Sequence, residues 1–355
     1  MKRFLLIVFI VFNSCISPIE NKKPNVIIIM TDDQGFGDLG VNKNPNIITP
    51  NIDQFASESV QFDNFFVSPV CAPTRASLMT GRYSLRTGVR DTYNGGAIMS
   101  NTETTIAEIL KEADYSTGIF GKWHLGDNYP FRPSEQGFDE SIIHLAGGIG
   151  QVGDFTNYYK GNTSYFDPIL WKNNKQNQYK GYCSDIFAEN AIEFIEKNKN
   201  NSFFCYLSFN APHTPLQVPE KYYNMYKDLD PELGFKGESL ALKMSKKDKE
   251  DARRIYGMVT NIDDNVGKVL NKLTELGIEE DTIIIFMTDN GPQQFRYNSN
   301  MKGLKGTVYN GGTRVPFYIK YAEKFKNSKV ISRMSAHIDV LPTILELCNL
   351  KIPSD

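Results

Sequence analysis

Ionisable and metal-ligating residues stand at the ends of apolar runs in this sequence. Asp32 and Asp33 are adjacent carboxylates closing "NVIIIMT", and Asp289 and Asn290 close "TIIIFMT" in the same way. Like charges at the edge of a core are costly unless something positive sits between them. These side chains offer oxygen ligands only, which suits calcium or magnesium rather than zinc. Turn or helix-cap roles suit either pair alone, since Asp-Asn-Gly is a turn signal; the two pairs together point to a metal ion.

Lys122 and His124 stand two apart in "GKWHLG", which puts them on one side of an extended segment. An ammonium beside an imidazole suits a bound oxyanion; the alternative is a surface lysine and a packed histidine. His213 lies in "NAPHTP", where the prolines stiffen a loop. Cys71 in "SPVCAPTRASLMTG" comes just before Pro73, a residue suited to the first turn of a helix. Free amide groups and the dipole at a helix N-terminus favour an anion and acidify a thiol. Arg75 falls in the same turn. Together these features describe a nucleophilic cysteine, with an inert structural thiol as the alternative.

Such residues need a scaffold that gathers them. Apolar runs of strand length occur at Val26–Met30, Ser116–Phe120, Phe203–Phe209, Thr282–Met287 and Pro316–Lys320. Helical patterns occupy Asn51–Ser59, Thr105–Glu112, Asp185–Asn198, Lys247–Leu276 and Ile338–Leu347. Near-continuous apolar strands between helices imply an α/β fold with a mostly parallel sheet covered on both faces. Ligands bind beyond the carboxyl ends of such strands. Asp32 and Asp33, Lys122 and His124, His213, and Asp289 and Asn290 each follow a strand directly, so these strand ends converge on one site.

A chain of 355 residues can bury the core of one large domain or two smaller ones. A net charge of -2 leaves no global basic field and argues against a nucleic-acid partner. The start, "MKRFLLIVFIVFNSC", has the basic, apolar and small-residue plan of a secretory signal over residues 1–15. Its apolar stretch is short for a membrane span. Cys15 after Phe-Asn-Ser resembles a bacterial lipoprotein cleavage site, so export ends either in release or in a lipid anchor, with residues 16–23 as a tether. The expected location is periplasmic or cell-surface. Cys183, Cys205 and Cys348 are small buried hydrophobes on this reading, with room for one disulfide.

Cys71-Ala72-Pro73-Thr74-Arg75, followed by Ala-Ser-Leu-Met-Thr-Gly, resembles the Cys-x-Pro-x-Arg signature of the formylglycine-dependent sulfatases. "YSTGIFGKWHLG" is similar to the family's second signature, with Asp114 where a glycine is usual. "TDDQGFGDLG", "TDNG" and "LKGTVYNGGTRVPF" resemble further family segments. The resemblance runs from Lys23 to the C-terminus. It implies the alkaline phosphatase/sulfatase-like fold, with residues 24–355 as the catalytic domain. Family members continue into a smaller C-terminal subdomain with an antiparallel sheet, whereas this chain stops at Asp355, so the expectation is a C-terminally truncated domain.

The resemblance also implies roles. Cys71 is oxidised to formylglycine by a maturation enzyme. Asp32, Asp33, Asp289, Asn290 and the hydrate oxygen of residue 71 hold one calcium ion. Arg75 anchors the hydrate; Lys122, His213 and Lys305 surround the sulfate; His124 takes the proton that starts sulfate release. Lys305 is preferred to Lys302 because it matches the lysine before the family's Gly-Gly-x-Arg turn. His144 is open between a substrate loop and a structural role, and His337 reads as a packing or capping residue. The expected activity is hydrolysis of a sulfate ester, with sulfated carbohydrate as substrate. The alternatives are a phosphonate or phosphodiester hydrolase of the same superfamily, and a non-catalytic carbohydrate-binding remnant.

Overall fold

The computed structural model describes residues 23–235 and 243–353. The expected export signal, Cys15 and the expected tether up to residue 22 lie outside the described residues. Lys23 already belongs to the fold, its Nζ donating to the Ala113 carbonyl at 2.8 Å.

The strands are β1 (Asn25–Thr31), β2 (Val60–Phe62), β3 (Phe65–Phe66), β4 (Ser116–Lys122), β5 (Glu140–His144), β6 (Ile169–Lys172), β7 (Lys175–Gln178), β8 (Phe203–Ser208), β9 (Thr282–Thr288), β10 (Phe317–Lys320), β11 (Lys329–Ile331) and β12 (Ser335–Ala336). The helices are α1 (Pro50–Ser57), α2 (Cys71–Thr80), α3 (Ile106–Glu112), α4 (Cys183–Asn198), α5 (Glu220–Tyr223), α6 (Lys246–Glu275), α7 (Asn310–Thr313) and α8 (Val340–Leu347).

Ten strands form one sheet in the order β11-β2-β10-β9-β1-β8-β4-β5-β6-β7. Its centre, β9 through β5, is parallel. β10 runs antiparallel to β9, and β6 and β7 extend the other edge antiparallel. β1 is buried at every residue and alternates between two cores. Val26, Ile28 and Met30 pack with residues of α2, α3 and α8, while Ile27 and Ile29 pack with residues of α1, α4 and α6. Both faces are therefore covered, and truncating one such isoleucine to alanine costs about 2–5 kcal/mol. No helix among the described residues is long and apolar enough to cross a membrane. Cys71, Cys183, Cys205 and Cys348 are all buried and free, so the disulfide allowed by the sequence is absent among the described residues.

Local signals account for several boundaries. Thr105, expected inside α3, is instead its cap, with a reciprocal Thr105–Glu108 capping box. Ser245 and Asp248 cap α6 the same way. The helix expected from Ile338 opens as a 3-10 turn over His337–Asp339 before α8 begins. Asp114, the departure from the second signature, has φ +65°, which explains why glycine is usual there.

Candidate active site

The neighbours β9, β1, β8 and β4 bring the chemistry-bearing strand ends side by side. β1 and β9 pair in register, Met30 with Met287 and Thr31 with Thr288. The two Met-Thr-Asp segments therefore end level, and Asp32 and Asp289 leave the sheet together. Asp33 N donates to Asp289 Oδ1 at 3.2 Å. Asp33 has φ +60°, a left-handed conformation that costs a non-glycine residue about 1 kcal/mol.

β8 ends at Ser208, and the loop beyond it carries His213. β4 ends at Lys122. There the extended geometry expected to aim Lys122 and His124 together stops, because His124 has φ +60°. Lys122 pairs with Asp32, whereas His124 meets Cys71.

α2 supplies the remaining groups. Cys71 is its first residue and Pro73 lies in its first turn. Arg75, one turn on, is buried. Its Nε and Nη2 donate to Asp289 Oδ2 at 3.1 and 2.8 Å. Its Nη1 donates to Ser208 Oγ at 2.6 Å and to the Lys122 carbonyl at 3.2 Å. One guanidinium thus ties together the ends of β9, β8 and β4.

Each buried carboxylate faces a cation: Asp32 faces Lys122, Asp289 faces Arg75 at 2.8 Å, and Asp33 faces Lys305 at 2.6 Å. The balance differs between them. Burial raises the Asp32 carboxyl against the pull of Lys122. Burial, then Asp32, pushes Asp289 up to about 6. Burial also acts on Asp33, but Lys305 and His213 together overcome it and hold that carboxyl well below the usual range.

Lone pairs are left over. Asp32 Oδ1, Asp33 Oδ2 and Asn290 Oδ1 are buried and accept no hydrogen bond, which costs about 1–3 kcal/mol for each atom. Asn290 Nδ2 donates to Asp33 Oδ1 at 2.8 Å and to the Gly291 carbonyl at 2.9 Å, so its donors are already committed. Ligating atoms of Asp32, Cys71 and Asp289 fall within 4.8 Å of one another, as do those of Asp32, Asp33 and His213. Unpartnered oxygens among three buried carboxylates and an amide fit a hard cation such as calcium. The soft sulfur of Cys71 does not; an oxygen in its place would make the set uniform.

His124 is held as a base. Its Nε2 lies 2.8 Å from the Thr92 carbonyl and its Nδ1 3.4 Å from Cys71 Sγ. A carbonyl only accepts, so Nε2 carries the proton and Nδ1 presents its lone pair to residue 71. Burial, and then the charge of Lys122, push the ring down to about 3, so it is neutral at pH 7. His213 donates through Nδ1 to the Thr214 carbonyl at 2.7 Å, with Nε2 3.6 Å from Asp33 Oδ2. Burial brings it to about 3 against the opposing pull of Asp33. The loop after β5 closes on both rings. A Cβ on Gly147 would lie 2.8 Å from the His124 ring, and one on Gly148 3.0 Å from His213 Cε1.

The structure gathers Asp32, Asp33, Cys71, Arg75, Lys122, His124, His213, Asp289, Asn290 and Lys305 into this one buried cluster. Lys302, the alternative to Lys305, instead sets its ammonium 4.2 Å above the Tyr309 ring. His144 pairs with Lys122 across β4 and β5, and neither of its ring nitrogens has a partner. Burial, then Lys122, holds it well below its ordinary value. His337 sits before α8 with Nδ1 donating to the Phe66 carbonyl at 3.2 Å, a packing role. Two contributors escaped the sequence. Ser208 had a signal, a serine near the end of the apolar run "FFCYLSF". Thr92 acts through its carbonyl, which no residue type announces. A basic nitrogen facing residue 71, flanked by cations and unpartnered oxygens, suits attack on an anionic ester.

Known proteins share this arrangement's frame. The family model described as Sulfatase matches residues 24–350. The N-acetylgalactosamine-6-sulfatase of Mus musculus is 31% identical over 94% of this chain and 64% of its own length. The ulvan-active sulfatase of Formosa agariphila is 32% identical over 94% of this chain and 63% of its own. This chain thus spans less than two thirds of the length of these relatives. The crystal structure of Ps i-CgsB in complex with k-i-k-neocarrahexaose superposes with a TM-score of 0.79 at 32% identity, covering 94% of this chain and 73% of that one. With a family match over nearly its whole length, on a sheet that aligns two Met-Thr-Asp ends beside Cys71, the chain belongs to the sulfatase family.

Proposed function

We propose that the protein hydrolyses sulfate esters of carbohydrate, releasing inorganic sulfate, with residue 71 matured to formylglycine and one calcium ion bound beside it. The observation that carries this reading is the meeting of Cys71, at the N-terminus of α2, with Asp32 and Asp289, in a cluster where Asp32 Oδ1, Asp33 Oδ2 and Asn290 Oδ1 accept no hydrogen bond. The relatives named above support the substrate class, since one is named for N-acetylgalactosamine and the other for ulvan. Export, with or without a lipid on Cys15, places the enzyme where such polymers are met.

Asp32, Asp33, Asp289, Asn290 and an oxygen on residue 71 would hold calcium, which would polarise a sulfate oxygen and orient residue 71. A hydrated aldehyde there would supply two hydroxyls on one carbon, one as the nucleophile toward sulfur with the alcohol as leaving group, the other as the source of the proton whose loss would let sulfate depart. The maturation enzyme supplies the oxidant that removes sulfur from Cys71. Arg75 keeps Asp289, Ser208 and the Lys122 carbonyl in fixed relation, and so holds the strand ends around residue 71. Lys122 and Lys305 place positive charge where the sulfate oxygens sit, with His213 as a further donor or acceptor. His124 Nδ1 takes the proton that residue 71 gives up.

The test joins two measurements. Mass spectrometry of the peptide containing residue 71 reads the aldehyde, and turnover of p-nitrophenyl sulfate is compared with that of bis-p-nitrophenyl phosphate. An aldehyde together with preferred sulfate turnover supports the reading. An unmodified thiol in fully active protein, or preference for the phosphodiester, overturns it.

A further inference from the structure

The loop after β5 does more than cover His124 and His213. It goes on to present Val152, Phe155 and Tyr159 to solvent at 86%, 81% and 91% exposure. All three ride on the loop whose Gly147 and Gly148 pack against the His124 and His213 rings. These side chains do not ride on a slack segment. Asp154 is buried, and its carboxylate accepts from Gly150 N at 2.7 Å, Thr156 Oγ1 at 2.7 Å and Asn157 Nδ2 at 3.1 Å. Gln151 Nε2 ties the loop to Thr214 Oγ1 at 2.8 Å. Phe155 therefore stands between anchored neighbours.

Phe155 borders a cavity of about 280 Å³ whose other walls include Trp171, Arg132, Asn128 and Gln176. Leu145 also lines it, and the Leu145 carbonyl accepts the His124 N–H at 3.1 Å. The cavity thus adjoins the active-site cluster through one residue. The Arg132 guanidinium carbon sits over the Trp171 indole, 4.4 Å from its centroid, and its Nε donates to the Asp127 carbonyl at 2.6 Å. This braces the guanidinium as part of the wall.

Planar amide and guanidinium groups with an aromatic at the rim match a pyranose ring, whose hydroxyls take donors and acceptors in pairs and whose C–H face packs on an aromatic. The charge selects among sugars. Asp127 and Asp154 line the cavity, and Arg132 is the one cation among its described lining residues, so a second sulfate or a uronate would meet net negative charge. We propose that this cavity is a subsite for an uncharged sugar ring next to the sulfated one, with Phe155 against its C–H face and Arg132, Asn128 and Gln176 on its hydroxyls. The proposal rests on the sulfatase reading and makes the substrate an oligosaccharide rather than a lone sulfated monosaccharide.

Calorimetric titration of the Cys71→Ala protein tests it without turnover. The probes are kappa-neocarratetraose beside galactose 4-sulfate, and an N-acetyllactosamine tetrasaccharide sulfated on galactose O6 beside galactose 6-sulfate, so that each tetrasaccharide has uncharged neighbouring rings and a monosaccharide of matching sulfate position. At least one tetrasaccharide should bind about tenfold more tightly than its matching monosaccharide. Adding Phe155→Ala should remove about that factor for the tetrasaccharide and far less for the monosaccharide, and Phe155→Trp should restore it. Tetrasaccharides that bind no better than their matching monosaccharide sulfates, or a Phe155→Ala loss equal on both, overturn the subsite. Failure of the sulfatase reading shows separately, as matured wild-type protein that cleaves no sulfate ester.

Discussion

His124 Nδ1 lies 3.4 Å from the Cys71 sulfur while Nε2 of the same ring donates to the Thr92 carbonyl at 2.8 Å. The backbone of one loop thereby chooses which nitrogen is basic. Under the proposed function, that nitrogen works after attack, when residue 71 must lose a proton. His124→Ala should release about one equivalent of alcohol per matured molecule and then turn over roughly 10²–10⁴-fold more slowly than wild type. Lys122→Ala should instead slow the burst itself. Rapid-mixing kinetics with an aryl sulfate separates the two. Absence of a burst in His124→Ala protein that still binds sulfate would place His124 at or before attack.

The unpartnered oxygens predict a metal response that can be read without activity. Calcium binding only the folded chain stabilises it by about 4 kcal/mol at a thousandfold excess over its dissociation constant. Chelation should therefore lower the thermal midpoint and calcium should restore it. Asn290→Ala removes one of those oxygens and no charge, so it should shrink the calcium-dependent shift while the chelated protein still unfolds cooperatively. A midpoint indifferent to chelation in the wild-type protein would refute the site.

How far these arrangements could be read beforehand depends on burial. β1 and β9 are buried at every residue, so their apolar runs stand out, and the acids that follow them stand out too. α2 is buried on all sides, so it has no amphipathic stripe and only its N-terminal Pro73 signalled a helix. β7 is exposed at every residue and shows no alternation, so the antiparallel edge went unseen, and with it the cavity beside Trp171. Lys305 and Lys302 are chemically alike; the resemblance separated them, and the structure pairs only Lys305 with Asp33. The neutral tautomer of His124 was beyond reach, because it depends on a carbonyl.

The turn after α3 gives a stability prediction. Asp114 N donates to the Lys111 carbonyl and Tyr115 N to the Leu110 carbonyl, both at 3.0 Å, which is a Schellman closure with Asp114 in the left-handed position. Asp114→Gly relieves the backbone but loosens the unfolded chain, so a net gain of about 0.5 kcal/mol is expected. Asp114→Val, β-branched at φ +65°, should lose about 1–2 kcal/mol. Urea unfolding measures both, and equal midpoints for the two variants would contradict the backbone argument.

His337 predicts an acid-sensitive increment that is independent of the active site. The ring is buried, with Nδ1 donating to the Phe66 carbonyl at 3.2 Å and Nε2 placed to accept from Ser68 Oγ at 3.3 Å. Both nitrogens are thus satisfied in the neutral form. Burial pushes the imidazole down to about 4, although the Phe66 carbonyl and Asp339 favour the charged form. The folded pKa lies below the unfolded value of 6.5, so between those limits the unfolded chain binds the proton more strongly. The stability this residue contributes is complete above pH 6.5 and is lost as pH falls toward 4, by up to about 3 kcal/mol. His337→Gln keeps an amide donor for Phe66 and cannot titrate. Its stability should fall less steeply than wild type over that window, by up to one proton's worth of slope. Asp289 and Asp263, both raised to about 6, act in the opposite sense in both proteins and cancel from the difference. Urea midpoints at closely spaced pH values between 4 and 7.5 decide it, and parallel curves would mean that His337 is already free to charge in the fold.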